Sequence, residues 1–161
     1  MFNKILIANR GEIACRVMAT AKKMGIQTVA VYSEADKLSR HVQLADEAIC
    51  IGPASATHSY LKISNIISAA EIADVDAIHP GYGFLAENPL FARRVEEAGL
   101  TFVGPSADLI ATMGDKVAAR KIAAEQGLPV VPGSAVAGLQ EPGLAEQVGL
   151  PLIVKAVGGG G

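Results

Sequence analysis

Short apolar runs alternate with stretches of helical period along most of this chain. Lys4-Ile5-Leu6-Ile7-Ala8 is apolar on both faces and is closed by the turn signal Asn9-Arg10-Gly11, the pattern of a buried parallel strand. Ile13, Val17, Ala21 and Met24 then recur at helical spacing, leaving Arg16, Lys22 and Lys23 for other faces, with Gly25 placed to cap the end. Thr28-Val29-Ala30-Val31-Tyr32 predicts a second strand and Ala48-Ile49-Cys50-Ile51 a third. The polar stretch 33–46 between them has room for one short helix. Ile63, Ile66, Ile67 and Ala70 predict a helix over 63–73, Ala77-Ile78 a fourth strand, 89–98 another helix, and Thr101-Phe102-Val103 a fifth strand. This order predicts an α/β fold, a Rossmann-like parallel sheet with helices on both faces. Ile5, Ile7, Val29, Val31, Ile49, Ile78 and Phe102 are its expected buried residues.

The texture changes after Gly104-Pro105. Two adjacent helices are expected near 108–113 and 116–126, and a linker between about Ala111 and Pro132. A further helix over 144–148 and a strand Leu152-Ile153-Val154-Lys155-Ala156 lead into Gly158-Gly159-Gly160-Gly161. Four glycines have nothing to pack, so the sequence reads as cut off inside a functional loop.

Half of the 161 residues are hydrophobic, yet no apolar run approaches the ~20 residues of a membrane helix. The start shows no secretory apolar region, and a soluble, cytoplasmic protein is expected. The net charge of −2 supplies no general basic footprint for nucleic acid. Cys15 and Cys50 sit in apolar surroundings without metal-ligand spacing and are expected to be reduced core thiols. His41 and His58 stand in no motif and are expected in solvated loops.

The densest chemistry is His79-Pro80-Gly81-Tyr82-Gly83-Phe84-Leu85-Ala86-Glu87-Asn88, a loop at the carboxyl end of the fourth strand, where ligands gather in open α/β sheets. Gly81 and Gly83 permit positive φ and close backbone approach, and His79 at the strand end is expected to organise its neighbours rather than act as a base. The loop also fits Gly-x-Gly-x-x-Gly/Ala, but in the fourth βα turn rather than the first, which weakens a dinucleotide reading. Arg10 and Glu12 lie at the same strand edge, where an Arg10–Glu12 or Arg10–Glu87 ion pair is as well supported as a catalytic role. Lys155, in an apolar strand before a glycine run, combines a cation with backbone N–H donors suited to phosphate. Lys116 opens a helix behind the N-cap candidate Asp115, where a bound anion would offset the unfavourable placement of a cation. The P-loop pattern, Ser-His-Asp arrangements and HExxH are absent.

Taken together these residues resemble biotin carboxylase. The resemblance rests on 4–14, Ala45-Asp46-Glu47, Ile51-Gly52-Pro53, Ser59-Tyr60-Leu61, 79–88, Phe102-Val103-Gly104-Pro105, Met113-Gly114-Asp115-Lys116, Val131-Pro132-Gly133 and Val154-Lys155-Ala156 with its glycines. It implies an N-terminal, pre-ATP-grasp domain over 1–112, then linker helices and the start of an ATP-grasp domain over 113–161. It also implies ATP-dependent activation of bicarbonate and carboxylation of biotin on a carrier protein or domain, with Mg2+ or Mn2+ and a carboxyltransferase component, in an enzyme that can form a homodimer. ATP-binding residues by this resemblance are Lys116, Lys155, Gly158, Gly159, Gly160 and Gly161. Tyr82 and Gly83 face biotin, with His79, Glu87, Asn88 and Arg10 in support. The family's Ser-Glu-Asn reads Ala86-Glu87-Asn88 here. Its metal ligands, adenine pocket and bicarbonate site lie past Gly161, so no catalytic residue or metal ligand is expected within these residues, which alone should not turn over. Residues 66–71 lean toward acetyl-CoA carboxylase, and 12–17 toward the propionyl- or methylcrotonyl-CoA enzymes; pyruvate carboxylase is a further possibility. The reading of another class is a non-catalytic subunit-contact module using the outer face of the first helix.

Overall fold

The computed structural model describes residues 1–131, 133, 149–151 and 153. The chain divides into two compact units, Met1–Ile110 and Ala111–Gly161. In the first, a five-stranded sheet is built from β1 (Lys4–Ile7), β2 (Gln27–Ser33), β3 (Glu47–Gly52), β4 (Ala77–His79) and β5 (Thr101–Phe102). Every pairing is parallel, in the order β3-β2-β1-β4-β5. The chain runs outward from β1 to β3, then crosses back to place β4 on the other side of β1. That reversal is the switch point at which open α/β sheets leave a crevice beyond their carboxyl ends.

Side-chain alternation sorts the core into two layers. Ile5 and Ile7 of β1, Ala30 of β2 and Ala77 of β4 pack with Ala14, Met18 and Ala21 of α1 (Gly11–Lys23). Leu6, Val29, Val31, Ile78 and Phe102 point to the opposite face, against Ile66, Ala69 and Ala70 of α3 (Ile63–Ile72) and Phe91 and Val95 of α4 (Pro89–Glu97). Small residues on α1, β2 and β4 let that helix approach the sheet closely.

Ala21 of the expected α1 stripe is buried, but its companions are Ala14 and Met18 rather than Ile13 and Val17, which are half-buried, and Met24 is exposed. Gly25 closes the helix with φ +74°, the Gly25 N–H reaching the Lys22 carbonyl and Ile26 N–H the Ala21 carbonyl, a Schellman end. Ile49 is only half-buried, because β3 is an edge strand with one open side. For the same reason Cys50 is exposed rather than a core thiol, and Cys15, on α1, is half-buried. The segment between β2 and β3 holds two short elements rather than one, a 3-10 turn over Glu34–Asp36 and α2 (Arg40–Leu44).

α5 (Ala107–Gly114) is followed by α6 (Lys116–Glu125), whose N-cap is Asp115: its carboxylate accepts from Val117 N–H at 2.8 Å and Ala118 N–H at 3.0 Å. The helix expected over 144–148 and the strand over 152–156 lie outside the described residues, save Ile153, which belongs to no strand. Among the described residues no helix is long and apolar enough to cross a membrane.

Candidate functional site

The loops following β1 and β4 meet beyond the switch point. Asn9, in the turn after β1, is buried, and its Nδ2 donates to the Pro80 carbonyl at 2.9 Å and the Tyr82 carbonyl at 2.8 Å. Gly81 and Gly83 both adopt positive φ, +67° and +68°, as the turn requires. His79 Nδ1 accepts the Gly81 N–H at 3.0 Å, so the ring organises the turn as a neutral acceptor. Burial depresses the His79 pKa, which keeps that nitrogen free of a proton.

Tyr82 projects outward and is 64% exposed, with its hydroxyl donating to Glu12 Oε2 at 3.0 Å. The bond to Glu12, and then its charge, raise the Tyr82 pKa. Glu12 is thus committed to Tyr82 rather than Arg10. Arg10 instead pairs with Asp36 at 3.4 Å, so neither expected Arg10 ion pair with Glu12 or Glu87 forms. Glu87 is exposed, and Asn88 caps α4 by accepting the Phe91 N–H at 3.0 Å. Because α4 begins only at Pro89, Gly81-Tyr82-Gly83 does not open directly onto a helix N-terminus as a dinucleotide fingerprint does.

Behind this loop lies a polar cluster that sequence reasoning missed. Asp36 accepts from the Tyr60 hydroxyl at 2.7 Å and the Ser33 hydroxyl at 3.0 Å, and the Tyr60 oxygen in turn accepts the Ser33 N–H at 3.0 Å. Burial alone would raise Asp36, but the bonds from Tyr60 and Ser33, together with Arg10, outweigh it and hold the carboxyl below its ordinary value. Burial and the Asp36 bond push Tyr60 up to about 12. Phe84, at φ +40°, stacks on Tyr60 with centroids 5.1 Å apart and planes 7° from parallel. The Arg10 guanidinium carbon lies 5.8 and 5.9 Å from the two ring centroids, close enough for a cation–π contribution.

His41, expected in a solvated loop, is fully buried. Its Nε2 donates to the Val31 carbonyl at 3.2 Å and its Nδ1 faces the Gly11 N–H at 3.5 Å, an arrangement open only to the neutral ring. Burial lowers its pKa, an effect the Val31 carbonyl and Asp36 only partly offset. His58 is exposed as expected. The cluster therefore ties together loops at the carboxyl ends of β1, β2, β3 and β4. Ser59-Tyr60 was noted only as part of the family resemblance, and nothing beside it in sequence assigns the tyrosine a partner.

Lys116 is the half-buried first residue of α6. Lys155, Gly158, Gly159, Gly160 and Gly161 lie outside the described residues. Among the described residues no three His, Cys, Asp or Glu side chains converge to hold a metal ion.

Residues 1–110 match the family model described as biotin carboxylase, N-terminal domain. This chain belongs to the biotin carboxylase family. It is 55% identical over 164 residues to biotin carboxylase 1 of Bacillus subtilis, covering 100% of this chain and 36% of that relative. A solved biotin carboxylase–β-γ-ATP complex from Campylobacter jejuni superposes with a TM-score of 0.95 at 48% identity, covering 100% of this chain and 37% of that one. The biotin carboxylase domain dimer of Hydrogenobacter thermophilus 2-oxoglutarate carboxylase, solved with MgADP, ADP and bicarbonate, gives 0.94 at 48% identity, covering 100% and 36%. The chain thus spans 36 to 37% of the length of these relatives. The Rossmann-like sheet is the architecture expected of a biotin carboxylase N-terminal domain.

Proposed function

We propose that this chain is the amino-terminal part of an ATP-dependent biotin carboxylase, a ligase that activates bicarbonate to carboxyphosphate and then carboxylates the ureido nitrogen of biotin on a carrier protein. The observation that carries the reading is the match of residues 1–110 to the biotin carboxylase N-terminal domain. The nucleotide and bicarbonate in related solved structures support the substrate assignment. In this reading residues 1–112 form the pre-ATP-grasp domain and 113–161 open the ATP-grasp domain, in a cytoplasmic enzyme. Lys116, Lys155 and the glycines 158–161 hold ATP phosphates, while Tyr82 and Gly83 lie on the biotin side, with His79, Arg10, Glu87 and Asn88 supporting the loop. Lys116 is the first residue of α6, whose Val117 and Ala118 N–H groups are taken by the Asp115 carboxylate, so its contribution to a phosphate oxygen is the ammonium itself. Two lysines offset negative charge on the triphosphate, the main task in phosphoryl transfer. Mg2+ or Mn2+ would supply further charge neutralisation when bound with the nucleotide.

Within the family, the first half-reaction of acetyl-CoA carboxylase, in fatty acid synthesis, is the parent activity favoured here, with a carboxyltransferase completing it; propionyl-CoA, methylcrotonyl-CoA and pyruvate carboxylases are the alternatives. The second reading, a subunit-contact module, draws on the exposed Arg16, Lys22 and Lys23 of α1 beside an open apolar hollow lined by Phe2, Val17 and Met24. A biotin-dependent ATPase assay on the full-length protein decides between them. Lys116→Ala and Lys155→Ala should each raise the KM for ATP by about tenfold or more, whereas Lys22→Ala should not. Absence of biotin-dependent turnover in the full-length protein would leave only the contact module. The 161-residue chain alone is expected to bind Mg-ATP poorly by calorimetry, because it spans only 36 to 37% of the length of its relatives.

A further inference from the structure

The loop that carries Tyr82 is fastened to the sheet by one side chain. Asn9 is 3% exposed although it lies in a turn, and its amide is spent wholly on main chain. Nδ2 donates to the carbonyls of Pro80 and Tyr82 at 2.9 and 2.8 Å, and Oδ1 accepts the Arg10 N–H at 2.9 Å. Gly81, between the two bonded carbonyls, rests directly on the amide: a Cβ there would come within 2.9 Å of Nδ2 and 3.1 Å of Ile13 Cγ1. The lever behind Asn9 is rigid, because Ala8 N–H bonds the His79 carbonyl at 2.9 Å and Ile7 is in register with His79.

The residue type follows from this geometry. Two acceptors on one side and a donor on the other need two N–H groups and an oxygen on a short stem, which a primary amide supplies. Aspartate has no donor, serine has one, and glutamine is a methylene too long for the contact with Gly81.

We propose that Asn9 is the positioning residue of the Tyr82–Gly83 loop, clamping the Pro80 and Tyr82 carbonyls so that the Tyr82 ring is presented at the carboxyl edge of β1 and β4 with its hydroxyl on Glu12. Its consequence for biotin rests on the reading that this loop faces biotin. The clamp itself does not, since it concerns only where the loop sits. Without Asn9 the two carbonyls turn to water, the Gly81 turn leaves the strand end, and the Tyr82–Glu12 bond is lost with it.

Both parts are tested on the full-length protein labelled with 13Cζ-tyrosine, the Tyr82 resonance being assigned by its absence in Tyr82→Phe. Wild-type Tyr82 should titrate above the ordinary tyrosine value near 10 because of Glu12. In Asn9→Ala, and in Asn9→Ser should the alanine variant not fold, it should return toward that value. The biotin KM should rise by about tenfold or more with the ATP KM unchanged, as expected when a loop is misplaced rather than a fold lost. Asn65→Ala removes a different side-chain amide, one bonded to the Ile51 carbonyl at 2.7 Å, and should leave the Tyr82 titration alone. An unmoved Tyr82 in a folded Asn9 variant, or an equal shift in Asn65→Ala, overturns the clamp. A shifted Tyr82 with an unchanged biotin KM upholds the clamp and sinks the assignment of this loop to biotin.

Discussion

Tyr60 carries more of the site's framework than its place in a loop suggests. Its hydroxyl donates to Asp36 and accepts from Ser33, while its ring lies under Phe84. Tyr60→Phe keeps the stack but leaves a buried Ser33 N–H without that acceptor, a loss of about 1–3 kcal/mol. Chemical denaturation should show the decrease, and the Asp36 carboxyl should titrate higher by NMR because its strongest donor is gone. Such residues were hard to read in advance. Gly81, Gly83 and the cap Asp115 were legible because turn and cap chemistry acts over two or three neighbours. Apart from the Ser33–Asp36 bond, Asp36, His41 and Tyr60 find these partners across 10 to 30 residues of chain, and nothing beside them in sequence names those partners. Arg10 shows the same limit: its nearness to Glu12 in sequence suggested a pair that Tyr82 and Asp36 take apart.

At the level of elements, position in the sheet sets what each apolar residue is worth. Ile78 on β4 is fully buried between β1 and β5, whereas Ile49 on the edge strand β3 keeps part of its surface in water. Ile78→Ala should cost about 2–5 kcal/mol in urea titrations, and Ile49→Ala clearly less, about 1–2 kcal/mol. The five strands and the helices α1, α3 and α4 were legible from apolar runs and helical spacing, but the exposure of Ile49 was not, since strand order decides which run becomes an edge. The altered stripe on α1 has a similar origin. The face a helix buries depends on how it lies on the sheet, and small Ala14 fits that contact better than Ile13. Asp115 offers a separate check on α6. Asp115→Ala removes an acceptor shared by two helix N–H groups and should lower stability of that helix by about 1 kcal/mol, seen as faster amide exchange at Val117 and Ala118.

For the whole molecule, the buried His41 and the half-buried His79 make stability depend on pH in a definite direction. The native state holds His41 and His79 neutral with pKa values below 6.5, so below 6.5 the unfolded chain binds more protons than the folded one. Their contribution is fully present above that value and is lost as pH falls toward the folded pKa values. Melting temperature should therefore drop on acidification through 6.5, and His41→Gln should flatten the drop. Asp36, Asp46 and Asp76, whose pKa values are lowered, give up their own contribution only below about 4, in a distinct second step. The reversal of strand order has a consequence on the time axis as well. Asn9 and Pro80 are separated by 71 positions, so on a ribosome elongating at about 5–20 residues per second Asn9 emerges roughly 4–14 s before the loop it holds. Once β2 has followed, β1 has a neighbour on one flank and until β4 arrives an open, apolar edge on the other, a template for pairing with a stranger. The strand that ends at the centre of the sheet is born as its most vulnerable border, and protection of the nascent chain matters most before β4 arrives.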